Sequence, residues 1–275
     1  MSAVERIEQL DDPRLDVYRN LRATNGLRDQ RLFVAEGPTV VQRLLNSRFN
    51  VRHLLISDRK YPRFEHLIPP QVKVLRMTSE LAERLVGFTF HCGVVACAER
   101  RPDVDLQEVA AASGPVVLVA GEHITDPENT GALIRIASAF GAAAAIFSAD
   151  STDPFSRRVL RVSMGNGLFL PVLQPADFRS TLDQLVHEFD FRIVRTVLTP
   201  TAIQLSQYEF PRRAVLVFGN EYHGVSESLQ SLAGADVTIP MLNGTDSLNV
   251  AVSSGIFLHQ YRSQWPAVAP AADSP

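Results

Sequence analysis

Three short stretches hold the polar groups best suited to chemistry. In "GEHITDPENTGALIRIASAFGA", Arg135 is a charge inside an otherwise apolar helical run, with Asn129 six residues before it. A guanidinium there could be held beside a phosphate or a reacting hydroxyl, with Asn129 near the helix mouth to orient it. It could equally snorkel to the surface. Pro127 and Glu128 suit the first turn of that helix, and Gly131 allows close approach. In "GNEYHGVSES", Gly219 and Gly224 mark a turn in which backbone passes close to something, and Glu221 is an acid at a strand's carboxyl end. Its plainer role is to cap a helix beginning near Ser226. In "IPMLNGTDSLNVAVSSGIFLHQY", an apolar strand end runs through a polar turn into a helix whose mouth carries Ser247 and Asn249. One N-cap, Asp246 or Ser247, would explain part of this, but a single cap does not need three polar neighbours. Ala251, Ser254 and Gly255 give that helix a small-residue side. None of the three is a G-x-G-x-x-G or a Walker loop, so a nucleoside-like ligand without a phosphate chain fits better than a dinucleotide or a triphosphate.

The elements that must position these groups alternate strand and helix. From Pro115 onward, "VVLVA", "AAAAIFSA", "FRIVRTVL", "AVLVFGN" and "DVTIP" read as continuous apolar strands between helices, the pattern of a largely parallel sheet covered on both faces. Ligands of such sheets bind beyond the carboxyl ends of the strands, which is where all three polar stretches fall. The first hundred residues form a smaller α/β unit. It comprises the helix "EGPTVVQRLLNSRF", the strands "VRHLLIS", "VKVLRM" and "CGVVACAE", and the helix "TSELAERLVG", capped by Thr78 or Ser79 with Glu83 in its first turn. The periodic pattern breaks at "RRPDVDLQEVAAASGP". The chain therefore divides into a domain over 1–101, a linker over 102–114, a domain over 115–265 and a tail over 266–275.

At 275 residues the chain can bury cores for two domains. It has no apolar run of about 18 residues and no basic, apolar, small-residue leader, so the expectation is a soluble, cytoplasmic protein. Cys92 and Cys97 are too close along an extended strand for a disulfide, lack partners at metal-ligand spacing, and read as plain buried thiols. Histidines such as His53, His66 and His187 also lack ligand spacing, and no metal site is expected. Charge is uneven: residues 1–101 hold 17 Lys+Arg against 12 Asp+Glu, whereas 102–275 hold 10 against 18. A basic first part suggests contact with a polyanion. Arg19, Arg22, Arg28 and Arg31, in "RNLRATNGLRDQR", are the first candidates for phosphate contacts, with a solvated helix face as the alternative.

The stretches "DPENTGALIRIASAFGA", "LVFGNEYHGVSE" and "IPMLNGTDSLNVAVSSGI" resemble, in order and spacing, the three signature motifs of the SpoU (TrmH-like) group of SPOUT RNA 2'-O-ribose methyltransferases. "RVSMGNGLFLPV", at 161–172, matches the segment between the first two. The N-terminal part, with "FVAEGPTVVQRLL" and "HCGVVA", is similar to the L30e-like substrate-binding domain of rRNA-directed members. The resemblance covers roughly residues 15–262.

The resemblance implies a C-terminal α/β SPOUT domain with a trefoil knot, a smaller N-terminal α/β L30e-like domain for RNA, and a homodimer. It implies S-adenosylmethionine as cofactor, held largely by backbone at Gly219, Ile239 and Leu248. Arg135, supplied by the partner subunit, would be the reactive residue, with Asn129, Glu221, Ser247 and Asn249 around it. The implied reaction is methylation of a ribose 2'-hydroxyl, in 23S rRNA in the first place; a tRNA substrate and a non-catalytic RNA-binding protein of the same fold are the alternatives. An arginine pKa above about 12 makes a neutral guanidine scarce, so Arg135 is expected to anchor a phosphate and stabilise the developing alkoxide. The sequence departs from the family's pattern at Ala251, where a serine is frequent, and at Tyr222 and His223.

Overall fold

The computed structural model describes residues 3–19, 21, 27–101, 104–220 and 222–266. The chain forms two compact units, one from residues 1–102 with 155–169, the other from 103–154 with 170–275.

The first unit opens with β1 (Val4–Arg6), β2 (Leu32–Glu36), α1 (Pro38–Leu45), β3 (Val51–Ser57), α2 (Tyr61–Phe64), β4 (Lys73–Met77), α3 (Ser79–Val86) and β5 (Val94–Glu99). Its sheet runs β1-β4-β3-β5-β2, parallel across the first three strands and antiparallel where β5 pairs β3 and β2. Alternate residues of β2 enter opposite cores. Phe33 and Ala35 pack with α1 residues Val40, Val41 and Leu44, and Val34 packs with Leu15, Tyr18, Leu55 and Leu75. Both faces are thus covered, which explains why these strands read as apolar runs. Thr78 caps α3 by accepting from Leu81 N at 3.2 Å. Glu83, expected in the first turn, instead accepts the Phe90 N–H at 3.1 Å, and Glu80 is the first-turn acid. Cys97 is buried and Cys92 half-buried; burial pushes each thiol up to about 11, so both stay protonated at neutral pH.

The second unit contains α4 (Leu106–Ala110), β6 (Val116–Gly121), α5 (Pro127–Ala139) and β7 (Ala144–Phe147). The chain then gives α6 (Arg157–Val162) to the first unit and returns with β8 (Val172–Leu173), α7 (Phe178–Phe189), β9 (Arg192–Thr196), β10 (Ile203–Gln204), β11 (Arg213–Phe218), β12 (Gly234–Thr238) and α8 (Val250–Gln264). Its seven strands, in the order β10-β12-β9-β11-β6-β7-β8, are parallel throughout. Val116, Leu118 and Ala120 of β6 share one core with Leu182 and Leu185 of α7. Within the segment read as linker, α4 belongs to that core through Val109 and Ala110, and Arg213 donates to the carbonyls of Ala110 and Ala112 at 2.8 and 3.2 Å. Charges at its start and small residues at its end concealed a five-residue helix. Arg262 of α8 donates to the carbonyls of Phe140 and Gly141 at 2.7 and 2.6 Å, tying α8 to the end of α5.

The segment 155–169 completes the first unit. Leu160 and Leu168 enter its core, and Phe155 lies against Phe33 and Phe49. Arg157 donates to the buried carboxylate of Glu36 at 2.6 Å and to Leu21 O at 2.8 Å, and its guanidinium lies over Phe88. The Cys92 thiol donates to the other Glu36 oxygen at 3.5 Å. The three arginines of this segment, Arg157, Arg158 and Arg161, come without an acid and raise the first unit's positive excess from five to eight.

Replacing Arg157 by Ala removes the nearer of two arginine partners of buried Glu36 and leaves Arg161 at 3.8 Å, a loss of about 2 kcal/mol in a chemical unfolding titration; Arg157→Ala paired with Glu36→Gln recovers part of it. A second expectation concerns pH. Tyr18 OH donates to His53 O at 2.9 Å and lies 2.8 Å from His53 Nδ1, and burial, aided by Arg52, Arg14 and Lys73, pushes His53 down to about 4. Below the usual imidazole pKa of about 6.5 the unfolded chain takes up a proton that the folded chain refuses until about pH 4. Stability therefore falls as pH drops from 6.5 toward 4, and thermal unfolding of His53→Phe shows a shallower slope across that window.

Candidate active site

A cavity of about 510 Å³ opens beyond the carboxyl ends of β9, β11 and β12. Its size is that of a small-molecule site. Thr196 to Thr199 line it after β9, Phe218, Gly219 and Asn220 after β11, Ile239 and Met241 after β12, and Ser253 and Phe257 from α8.

The wall after β11 exists because residue 219 has no side chain. A Cβ there would stand 2.1 Å from the carbonyl carbon and oxygen of Gly224, so any other residue would push the turn away. Asn220 and Gly224 exchange two backbone hydrogen bonds, of 3.1 and 2.9 Å, and Gly224 has φ +67°. The Asn220 side chain locks the turn from within. Its Oδ1 accepts from Tyr222 N at 2.8 Å and His223 N at 3.3 Å, and its Nδ2 donates to His123 O at 3.0 Å.

Glu122, which follows β6, clamps the same turn from outside. Its buried carboxylate accepts from Ser226 N at 2.8 Å and from Ser226 Oγ at 2.7 Å. Glu122 was not singled out by sequence, although it is the first polar residue after a strand and satisfies the rule used for the other sites; Ser226 was read only as the start of a helix. The helix expected near Ser226 is one 3-10 turn, Glu227–Leu229, without a side-chain cap.

The third stretch resolves differently from its expected capping. Asn243 and Gly244 both take left-handed conformations, φ 56° and 72°, turning the chain sharply. The helix begins at Val250 with Asn249 as N-cap; Asn249 Oδ1 accepts from Ala251 N at 2.8 Å. Neither Asp246 nor Ser247 caps it. Ser247 is exposed, lines the cavity, and makes no hydrogen bond among the described residues. The Asn249 amide donates to Asn129 Oδ1 at 2.9 Å, joining the mouth of α8 to the start of α5. Asp126 caps α5, with Pro127 in its first turn.

Five of the residues chosen from the sequence, Gly219, Ile239, Ser247, Leu248 and Asn249, therefore line one cavity, and Asn129 is bonded to it. Arg135 does not join them. It stands exposed on α5, makes no hydrogen bond or ion pair among the described residues, and lies ~9 Å of helix rise from Asn129, which bonds Asn249 and does not orient it. Glu221 and Arg22 lie outside the described residues. In the first unit, Arg19 is engaged by Asp16 at 3.1 Å and by Leu10 O at 2.7 Å, while Arg28 and Arg31 are exposed. Among the described residues no group of three or more His, Cys, Asp or Glu could hold a metal ion, and no helix is long and apolar enough to cross a membrane.

Residues 116–259 match the model of the SpoU rRNA Methylase family. The chain is 33% identical over 261 residues to an uncharacterized tRNA/rRNA methyltransferase of Mycobacterium tuberculosis, covering 91% of this chain and 88% of that protein. It is 30% identical over 208 residues to the 23S rRNA (guanosine-2'-O-)-methyltransferase RlmB of Acinetobacter baylyi, covering 74% of this chain and 84% of that one. Its fold is similar to that of the AdoMet-bound rRNA methyltransferase from Sinorhizobium meliloti, with a TM-score of 0.78 at 24% identity over 96% of this chain and 99% of that one.

The double duty of Asn249 can be separated by substitution. Asn249→Asp keeps an acceptor for the Ala251 N–H, and so the cap, but sets a carboxylate oxygen against buried Asn129 Oδ1 and is destabilised by about 1 kcal/mol through that contact alone. Asn249→Ala loses both and is destabilised by about 1 kcal/mol. Both variants bind ligand in the cavity more weakly by calorimetry.

Proposed function

The chain belongs to the SpoU rRNA Methylase family, and from that premise we propose that it methylates a ribose 2'-hydroxyl of 23S rRNA, with S-adenosylmethionine as methyl donor. The observation that carries this reading is the convergence of Gly219, Ile239, Leu248, Ser247 and Asn249 on one cavity at the carboxyl ends of parallel strands. The cavity suits the donor. Phe218, Val250 and Phe257 supply apolar floor, Gly219 lets the ligand meet backbone, and the strand ends offer N–H and C=O groups to a purine edge. When bound, the donor supplies a sulfonium methyl group that needs no further activation.

What the chain must add is placement of the hydroxyl and an environment for its charge. Ser247, with its free hydroxyl at the cavity, orients the ribose. Asn249 is fixed by Asn129 and by its own cap, so its position is set before substrate arrives. Glu221 is the further catalytic group of this reading.

Arg135 acts from the partner subunit of a homodimer. Its exposed position on α5, away from its own chain's cavity, supports this. Leu248, Val252 and Ile256, at four-residue spacing with exposures of 36, 52 and 39%, leave an apolar stripe along the mouth and body of α8, and Gly255 has open space where a Cβ would be. The guanidinium anchors a phosphate beside the target ribose and stabilises the developing alkoxide.

The first unit, with its positive excess of eight, docks RNA as an L30e-like domain completed by residues 155–169, and Arg22, Arg28 and Arg31 are its first phosphate contacts. The methyltransferase domain spans 115–265 apart from that segment, its C-terminal part closing a trefoil knot. The protein works in the cytoplasm. Relatives named as 23S rRNA enzymes support rRNA over tRNA.

Labelled S-adenosylmethionine incubated with separate unmodified rRNA and tRNA pools is expected to yield a 2'-O-methylnucleoside in rRNA, identified by mass spectrometry. Label in tRNA alone reassigns the substrate; donor binding with no label in either pool favours a non-catalytic RNA-binding protein. Arg135→Lys is expected to lose roughly 10²-fold in kcat/KM for RNA with donor affinity unchanged, whereas near-full turnover would exclude a bidentate guanidinium role.

A further inference from the structure

Tyr222 is the most exposed of the large hydrophobic side chains recorded, at 90%, and it sits at the rim of the donor cavity. A single exposed apolar residue is ordinary on a protein surface. This one is unusual in how it is held. Its N–H is fixed by Asn220 Oδ1, the two ends of its turn exchange two backbone hydrogen bonds, and Asn220 Nδ2 ties the turn to His123 O. Its ring makes no hydrogen bond or ring contact among the described residues. The backbone is pinned while the side chain is offered outward, which is a preorganised presentation.

Its neighbours at the rim share that character. Leu198, after β9, is 56% exposed, and Leu248, before α8, is 36% exposed, so three strand-end loops bring apolar side chains to one mouth whose interior holds Ser247 and Asn249. An open aromatic face beside hydrogen-bonding groups is the arrangement by which proteins take an unpaired nucleobase, stacking its face and pairing its edge. We propose that Tyr222 is the stacking platform for an unpaired base of the RNA substrate, next to the nucleotide that is methylated; the inference rests on the functional reading above and adds a base-binding subsite to it.

Two other occupants fit less well. A ring enclosing the adenine of the donor would be covered on one face by the cavity wall, whereas Tyr222 is open on both. A second protomer has its own apolar stripe on α8, at Val252 and Ile256.

The test compares full-length wild type, Tyr222→Ala and Tyr222→Phe. Tyr222→Ala is expected to raise KM for RNA about 5- to 150-fold, with kcat, S-adenosylmethionine affinity by calorimetry and sedimentation mass unchanged; Tyr222→Phe keeps the wild-type KM. An unchanged KM for RNA overturns the inference while the methyltransferase reading stands. So does weakened donor binding, which assigns the ring to the donor, or a lowered mass, which assigns it to the protomer contact. If the wild type methylates no RNA, the functional reading fails by itself. Anisotropy of a fluorescent single-stranded oligoribonucleotide then decides: weaker binding by Tyr222→Ala sustains the stacking site, and equal or absent binding removes it.

Discussion

The central strands of the seven-stranded sheet are buried on both faces, and the placing of the site follows from that. Strands such as β6 and β11 are buried along their length, with α7 on one side and α5 and α8 on the other. A polar side chain on either face would lose its water without a partner to replace it. Groups that must meet a solvated substrate can therefore stand only where the strands stop. Parallel strands stop together, so Thr196 after β9, Gly219 after β11 and Ile239 after β12 line one cavity, with Ser247 and Asn249 beside them.

The turn after β11 shows how closely such an edge must be built. Gly219 allows the chain to fold back to a distance no side chain permits, and Asn220 and Glu122 then fasten it from two sides. The buried Glu122 carboxylate is satisfied by the N–H and the hydroxyl of a single serine, an arrangement in which loss of either bond leaves a desolvated oxygen. Rigid attachment of this turn makes an exposed aromatic at its tip a defined surface instead of a fluctuating one.

Much of this was legible beforehand. Apolar runs marked β6, β7, β9, β11 and β12, and the rule that chemistry lies after such strands led to three polar stretches that do border the cavity or bond to it. The remainder was hidden for identifiable reasons. Any of Asp246, Ser247 and Asn249 has the chemistry of an N-cap, and only the backbone decides that Asn249 takes the role. Glu122 stands where that rule looks, directly after β6, but its role is set by Ser226, more than a hundred residues away. Arg135 has no bonded partner among the described residues to reveal its role. The helical spacing of α6 is the same whichever core it enters, so periodicity could not say that Leu160 belongs with Phe33.

That last allegiance bears on the order of synthesis. Strand β2, α1 and β5 are all translated before residue 101, but the core they share lacks Leu160 and Leu168, and Glu36 lacks the guanidinium of Arg157, until the ribosome has added more than fifty further residues. The amino-terminal unit is thus the first to be made but not the first able to finish. Its completion waits on the synthesis of β6, α5 and β7 of the other unit, so the amino-terminal part of a nascent chain acquires its final form only after the first strands of the second unit's sheet have been made.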